Sequence, residues 1–161
     1  MGSPPVVTAR GTPSKQRMKD GYKTLIANSL VPTVAFWERE VTPPGADGGE
    51  MIDTTTMFNT IWKQFAPRAL VTLTPVKVTA GYNDSLTTAI TGSLLNKECS
   101  WTVHFPSGST LAFYGFLRMF TPAALVEGTF PTAEIEIVPT NTDPSDGSEA
   151  APVFAAAGSD T

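Results

Sequence analysis

The sequence predicts a mainly β (α+β) domain, a sandwich of about six strands with one short helix. Three features lead to that class. Hydrophobic residues make up 41% of the 161-residue chain and charged ones 16%, with nine Phe, which is enough apolar material for a core. Apolar and polar residues alternate over short segments that Gly, Pro, Ser and Asn separate. One segment alone carries an apolar stripe at helical spacing.

Taken in chain order, residues 1–19 are rich in Gly, Pro, Ser and Lys/Arg and read as a flexible arm, followed by a domain over 20–139. Gly21–Leu30 and Thr33–Val41 read as strands. In the second, Val34, Phe36 and Glu38 alternate with Ala35, Trp37 and Arg39, so neither face is purely polar. Thr42–Glu50, with two prolines and three glycines, breaks regular structure. Asp53–Arg68 places Phe58, Trp62 and Phe65 at helical spacing, yet three consecutive threonines favour extended backbone. The segment is assigned to an irregular or extended excursion, with residues 43–68 forming one long loop.

Ala69–Tyr82 alternates as a strand, with a bulge or edge at Pro75, which has no N–H to give to a ladder. Asn83–Leu95 is the helix: Leu86, Ala89, Ile90 and Leu94 form one stripe, and Asn83 or Asp84 supplies the N-cap. Gly92 weakens it by about 1 kcal/mol relative to Ala, so the helix is short and held by packing. Glu98–Phe105 and Thr110–Phe120 are strands of a hairpin closed by Pro106–Ser109, with Gly108 where positive φ is needed. Phe130–Pro139 is the last expected strand. Residues 140–161 read as a loosely ordered C-terminal arm with Val153 and Phe154 as its apolar anchors.

Enzymatic chemistry finds little support. Cys99 and His104 are the sole residues of their kinds, too few for a zinc cluster, and strand alternation points them to opposite faces. Gly45, Gly48 and Gly49 are not followed by the Lys-Ser/Thr of a phosphate loop. Asp47, Glu50 and Asp53 lack the spacing of a calcium loop. Glu134 and Glu136 lie two apart on one strand face, the pattern of solvent-facing alternation rather than of an acid/base pair. No catalytic, metal or cofactor site is expected. The sequence has neither an apolar run of membrane-spanning length nor a secretory h-region, so no membrane partner is expected.

The net charge of −4 is uneven. Arg10, Lys15, Arg17, Lys19, Lys23 and Arg39 precede Val41, whereas no basic residue follows Arg118 and seven acidic ones do. A basic arm can bind nucleic acid, but this one lacks the interleaved aromatic residues of a stacking platform. The other readings are an ordinary solvated tail and a subunit whose opposite ends attract each other, which suits head-to-tail stacking.

Ile52–Met57 (IDTTTM), Phe65–Arg68 (FAPR), the hairpin GSTLAFYGFLRMFTP and above all LVEGTFPTAEIEIVPTN resemble the major tail tube proteins of long-tailed, siphophage-type bacteriophages. Glu149–Pro152 (EAAP) matches the Glu-x-x-Pro element that follows the closing strand of that family. The resemblance runs from about Gly21 to Phe154. It departs after the Phe-x-Pro, where many relatives carry a Gly-bearing turn and this chain has Arg68–Ala69.

The resemblance implies two packed antiparallel sheets flanked by one helix. It also implies a structural virion protein that forms stacked, six-membered rings, a hollow tube through which DNA leaves the capsid. Its implied partners are copies of itself, the tape measure, tail terminator and distal tail proteins, and DNA in non-specific transit. Its implied place is the virion tail, after assembly in the host cytoplasm. On that reading Glu134 and Glu136 are candidate lumen-facing residues, since a duct must not hold a polyanion. Asp53, Thr54, Thr55, Met57, Phe58, Trp62 and Phe65 are candidates for an inter-subunit loop. The alternative is a capsid decoration or head–tail connector protein, which shares a mainly β fold without forming long tubes. A small ligand-binding barrel is a third class.

Overall fold

The computed structural model describes residues 3–4, 21 and 23–156. The expected N-terminal arm, apart from residues 3–4, lies outside the described residues, as do residues 157–161. The described chain runs β1 (Leu25–Asn28), β2 (Glu38–Thr42), β3 (Ala46–Asp47), β4 (Ile52–Asp53), β5 (Phe65–Ala66), β6 (Thr72–Leu73) and β7 (Val76–Gly81). Helix α1 (Asp84–Ala89) follows and runs into a π-helical turn, Ile90–Leu94. Then come β8 (Glu98–His104), β9 (Thr110–Pro122), β10 (Thr132–Pro139) and β11 (Val153–Ala155).

Seven strands form one antiparallel sheet in the order β1-β8-β9-β10-β7-β2, with β11 added to β9. The sheet curls, so that its end strands β1 and β2 meet: the Ile26 amide donates to Glu38 Oε1 at 3.1 Å across the seam. The fold is mainly β with one short helix, as the sequence predicts. Its two layers come from one sheet turned over its own core.

Period-two alternation builds that core. Cys99, Trp101 and Val103 of β8, Ala133, Ile135 and Ile137 of β10, and Val76, Val78 and Ala80 of β7 all point inward and are buried. Each fully buried aliphatic side chain contributes roughly 1.5–3 kcal/mol relative to leaving it in water. The Asn83 side chain caps α1 by accepting from the Ser85 amide. α1 itself buries no residue; Ile90 and Leu94, both fully covered, lie in the π-helical turn. The wider turn keeps these two on one inward face despite Gly92.

Two close features fix β9 against its neighbours. A Cβ on Gly115 would meet the Val138 carbonyl oxygen at 2.5 Å, so glycine alone lets β10 approach. The Trp101 indole N–H donates to the carbonyl of the same glycine at 3.2 Å. Two residues later the register slips: Leu117 faces Ile137 while Met119 faces Glu136, so Arg118 is an extra residue, a β-bulge.

Several boundaries differ from expectation. β1 is shorter than Gly21–Leu30, because Lys23 has φ 65° and a turn ties Thr24 to Gly21. A second turn, Val34 amide to Val31 carbonyl, delays the next strand to Glu38. Pro75 splits the expected strand Ala69–Tyr82 into β6 and β7. The Gly/Pro-rich stretch Thr42–Glu50 holds β3, which pairs with β6. Residues 140–156, read as loosely ordered, carry a bridge between Thr142 and Glu149 and then β11. Phe154 of β11 stacks near Phe105, with ring centroids 6.2 Å apart.

Candidate assembly surfaces

The long loop expected over 43–68 is a β-ribbon arm. β2 and β7 pair up to Thr42 and Lys77, and the two chain segments then stay together through β3–β6 and β4–β5. The Gly45 amide donates to Thr74 Oγ1 at 2.7 Å, and the Thr74 amide returns a bond to the Gly45 carbonyl at 2.8 Å. Arg68 Nε donates to the Glu50 carbonyl at 2.8 Å, spanning the ribbon.

The tip is held by its own polar residues. Asp53 Oδ1 accepts from the Thr55 amide at 2.9 Å, the Thr54 amide reaches the Gln64 carbonyl, and Asn59 Oδ1 accepts from the Thr56 amide. The hydrogen bonds from Thr55 hold the Asp53 carboxyl below the usual carboxylate range. These bonds order the backbone and leave the large apolar side chains outside. Met57 is 102% exposed, Phe58 95% and Trp62 75%, with Met51, Ile61, Leu70 and Val71 also in water. Folded single subunits rarely expose apolar groups so densely. Of the candidate inter-subunit residues, Asp53, Thr54, Thr55, Met57, Phe58, Trp62 and Phe65 all lie in this arm and all are exposed.

The second surface is the outer face of β2, β7, β10 and β9. Glu134 is exposed there and stands opposite Thr79 and Thr121; Glu136 stands opposite Lys77 and Met119. Glu40 joins them from β2, where it faces Thr79. Glu136 forms an ion pair with Arg118, the residue that the bulge displaces. Three carboxylates (Glu40, Glu134, Glu136) and Lys77 therefore line one shallow depression, and Arg118 adds a second cation through its ion pair with Glu136. Lys77 and Arg118 are the residues of this face that sequence reading passed over: both lie far from Glu136 in the chain, and strand register for Lys77 and the bulge for Arg118 bring them beside it.

The third feature is the sheet margin. Among the described residues β2 has ladder pairing with β7 alone, β1 meeting it across the seam through the Glu38 side chain, and β9 past Leu117 has β10 on one side only. Such half-paired strands are templates for another chain. An apolar patch adjoins β2: Trp37 and Phe130 are exposed, and the Arg39 guanidinium lies 4.9 Å from the Phe130 ring centroid.

Cys99 is buried and His104 exposed, on opposite sides of β8. Among the described residues no group of three or more His, Cys, Asp or Glu is placed to hold a metal ion, and no helix is long and apolar enough to cross a membrane.

No family model and no curated protein matches the sequence. The fold does have counterparts among solved structures. A chain in the tail of an empty gene transfer agent particle, determined with C6 symmetry, superposes with TM-score 0.60 at 12% identity over 86% of this chain and 100% of that one. A chain in the virion of the native gene transfer agent gives TM-score 0.58, also at 12% identity over 86% and 100%. A chain in the six-fold symmetrised baseplate of the anti-feeding prophage gives TM-score 0.62 at 8% identity over 88% and 97%. At these identities the likeness is one of fold. Over 86–88% of its length this chain shares the architecture of chains in those phage-like tail particles.

Proposed function

We propose that this chain is a structural tail subunit, the major tail tube protein of a long-tailed, siphophage-type bacteriophage, and that it polymerises as stacked hexameric rings around a channel for DNA. The observation that carries this reading is the arm: a well hydrogen-bonded ribbon whose tip holds Met57, Phe58 and Trp62 in water. Ordering an apolar tip with nothing to bury it is unfavourable for a lone subunit and favourable for one with neighbours. The likeness to chains of C6-symmetric and six-fold particles supports six copies per ring.

In the assembled state the open margins of β2 and of β9 beyond Leu117 pair with the sheets of adjacent copies, and six sheets close into one barrel. The arm reaches a neighbouring subunit, and Glu134 and Glu136 face the lumen. The tape measure, tail terminator and distal tail proteins are the further partners, with the virion tail as destination and the host cytoplasm as the place of assembly.

Negative-stain microscopy of the concentrated, purified chain tests this. Tubes or stacked six-fold rings are the expected result. Isolated trimers favour a capsid decoration or connector role, and monomers at every concentration reject polymerisation.

A further inference from the structure

The outer face of β2, β7, β10 and β9 holds both signs of charge, and one of its carboxylates has a different job from the rest. Glu136 is nearly covered, its side chain 14% exposed, whereas Glu134 is in open solvent. The bulge between β9 and β10 takes Arg118 out of alternation and turns its guanidinium onto the Glu136 carboxylate. From the other side β7 places Lys77 in direct register with the same residue. Glu136 thus sits between the two cations of the face, and Glu134 has a threonine on each side.

We propose that Glu136 masks Arg118 from nucleic-acid phosphate, so that the guanidinium on this face does not retain a polyanion. Phosphate contacts from Lys and Arg dominate nucleic-acid affinity, and a guanidinium offers a phosphate the same paired donors that it offers a carboxylate. A built-in carboxylate at contact distance competes with every passing phosphate without the translational entropy cost of association. The surface is therefore made non-adhesive by local pairing, and the net charge of the face is secondary. The role of the face in a DNA channel rests on the tail tube reading; the masking itself is a property of the single subunit.

The experiment compares binding of a short labelled DNA duplex, by fluorescence anisotropy at low salt, to the full-length wild type, E134Q, E136Q, E136A, R118M and R118M/E136Q. All six share the basic residues that precede Asp20, so differences between them report this face. E136Q and E136A bind roughly 10-fold tighter than wild type, and their salt dependence steepens by about 0.9, as expected for the one freed guanidinium. E134Q, with the same change in net charge as E136Q, stays within about 2-fold of wild type, because no cation is released. R118M matches wild type, and R118M/E136Q gives back most of the gain.

Equal binding by E134Q and E136Q overturns the proposal, since net charge then explains the effect. Weaker binding by R118M than by wild type also overturns it, because Arg118 would already be open to phosphate. Microscopy of the same six proteins separates the two readings. Tubes without the E136Q gain refute the masking, and the gain without tubes at any concentration leaves the masking standing and refutes the tail tube function.

Discussion

Gly115 of β9 and Val138 of β10 are in backbone contact: a Cβ on the glycine would lie 2.5 Å from the valine carbonyl oxygen. The contact sets the spacing of the two strands at the place where β9 passes from β8 to β10, and the Gly115 carbonyl accepts the only indole N–H in the core. Gly115→Ala must push one strand away and strain that hydrogen bond. The expected cost is about 1–3 kcal/mol, measured by urea unfolding of the free subunit. Gly92→Ala serves as the contrast, since nothing lies within 4 Å of its added Cβ, and it is expected to be neutral or stabilising.

Met57, Phe58 and Trp62 make the opposite prediction. They are exposed, so Phe58→Ser and Trp62→Ser change the stability of the free subunit by no more than about 0.5 kcal/mol. If the arm docks on a neighbour, the same variants lose the assembled state by sedimentation and microscopy. Assembly at wild-type concentration would show that the tip does not contribute to contacts between copies.

Cys99 lies in the core, and desolvation pushes its thiol above the ordinary cysteine value despite backbone hydrogen bonds that act the other way. The thiolate is the reactive form, so labelling by a disulfide reagent at mildly alkaline pH is expected to be roughly 10-fold or more slower in the folded subunit than in urea. Equal rates would place Cys99 at the surface.

Asp53 is held below the usual carboxylate range by the Thr55 hydroxyl and amide. A carboxyl with a lowered folded value contributes order that is fully present above its unfolded value and is lost as pH falls through the folded one. The Thr55 amide resonance should therefore titrate with an acid-side midpoint lower than that of an ordinary aspartate. Asp53→Ala should remove the transition and loosen the tip at neutral pH, seen as faster exchange of the Thr55 amide.

How much of this was legible in the residues depends on whether the cause is local. The hairpin of β8 and β9 reads directly, because alternation frames it and Gly108, with φ 88°, closes it; the Asn83 cap reads for the same reason. Elements that exist only through distant partners do not. Ala46–Asp47 sits among glycines and prolines and is a strand because Thr72–Leu73 lies beside it. Val153–Ala155, in an alanine-rich stretch, is a strand because β9 offers an edge and Phe105 a ring to pack on.

The acidic face shows the limit most clearly. The period of two correctly turns Glu134 and Glu136 outward, but the lack of basic residues after Arg118 gave no hint that a bulge and an antiparallel register bring Arg118 and Lys77 back to them. Sequence distance hides charge pairing across a sheet.

On the proposed function, the half-paired sheet margins and the apolar arm are completed by sister copies. Hydrogen exchange followed by mass spectrometry, on free subunit and on concentrated assembly, measures this residue by residue. Uptake over residues 38–42, 51–66 and 118–122 is predicted to slow by about 10-fold or more on assembly, with the β8 core unchanged. Identical uptake in both samples across these three stretches would contradict the claim.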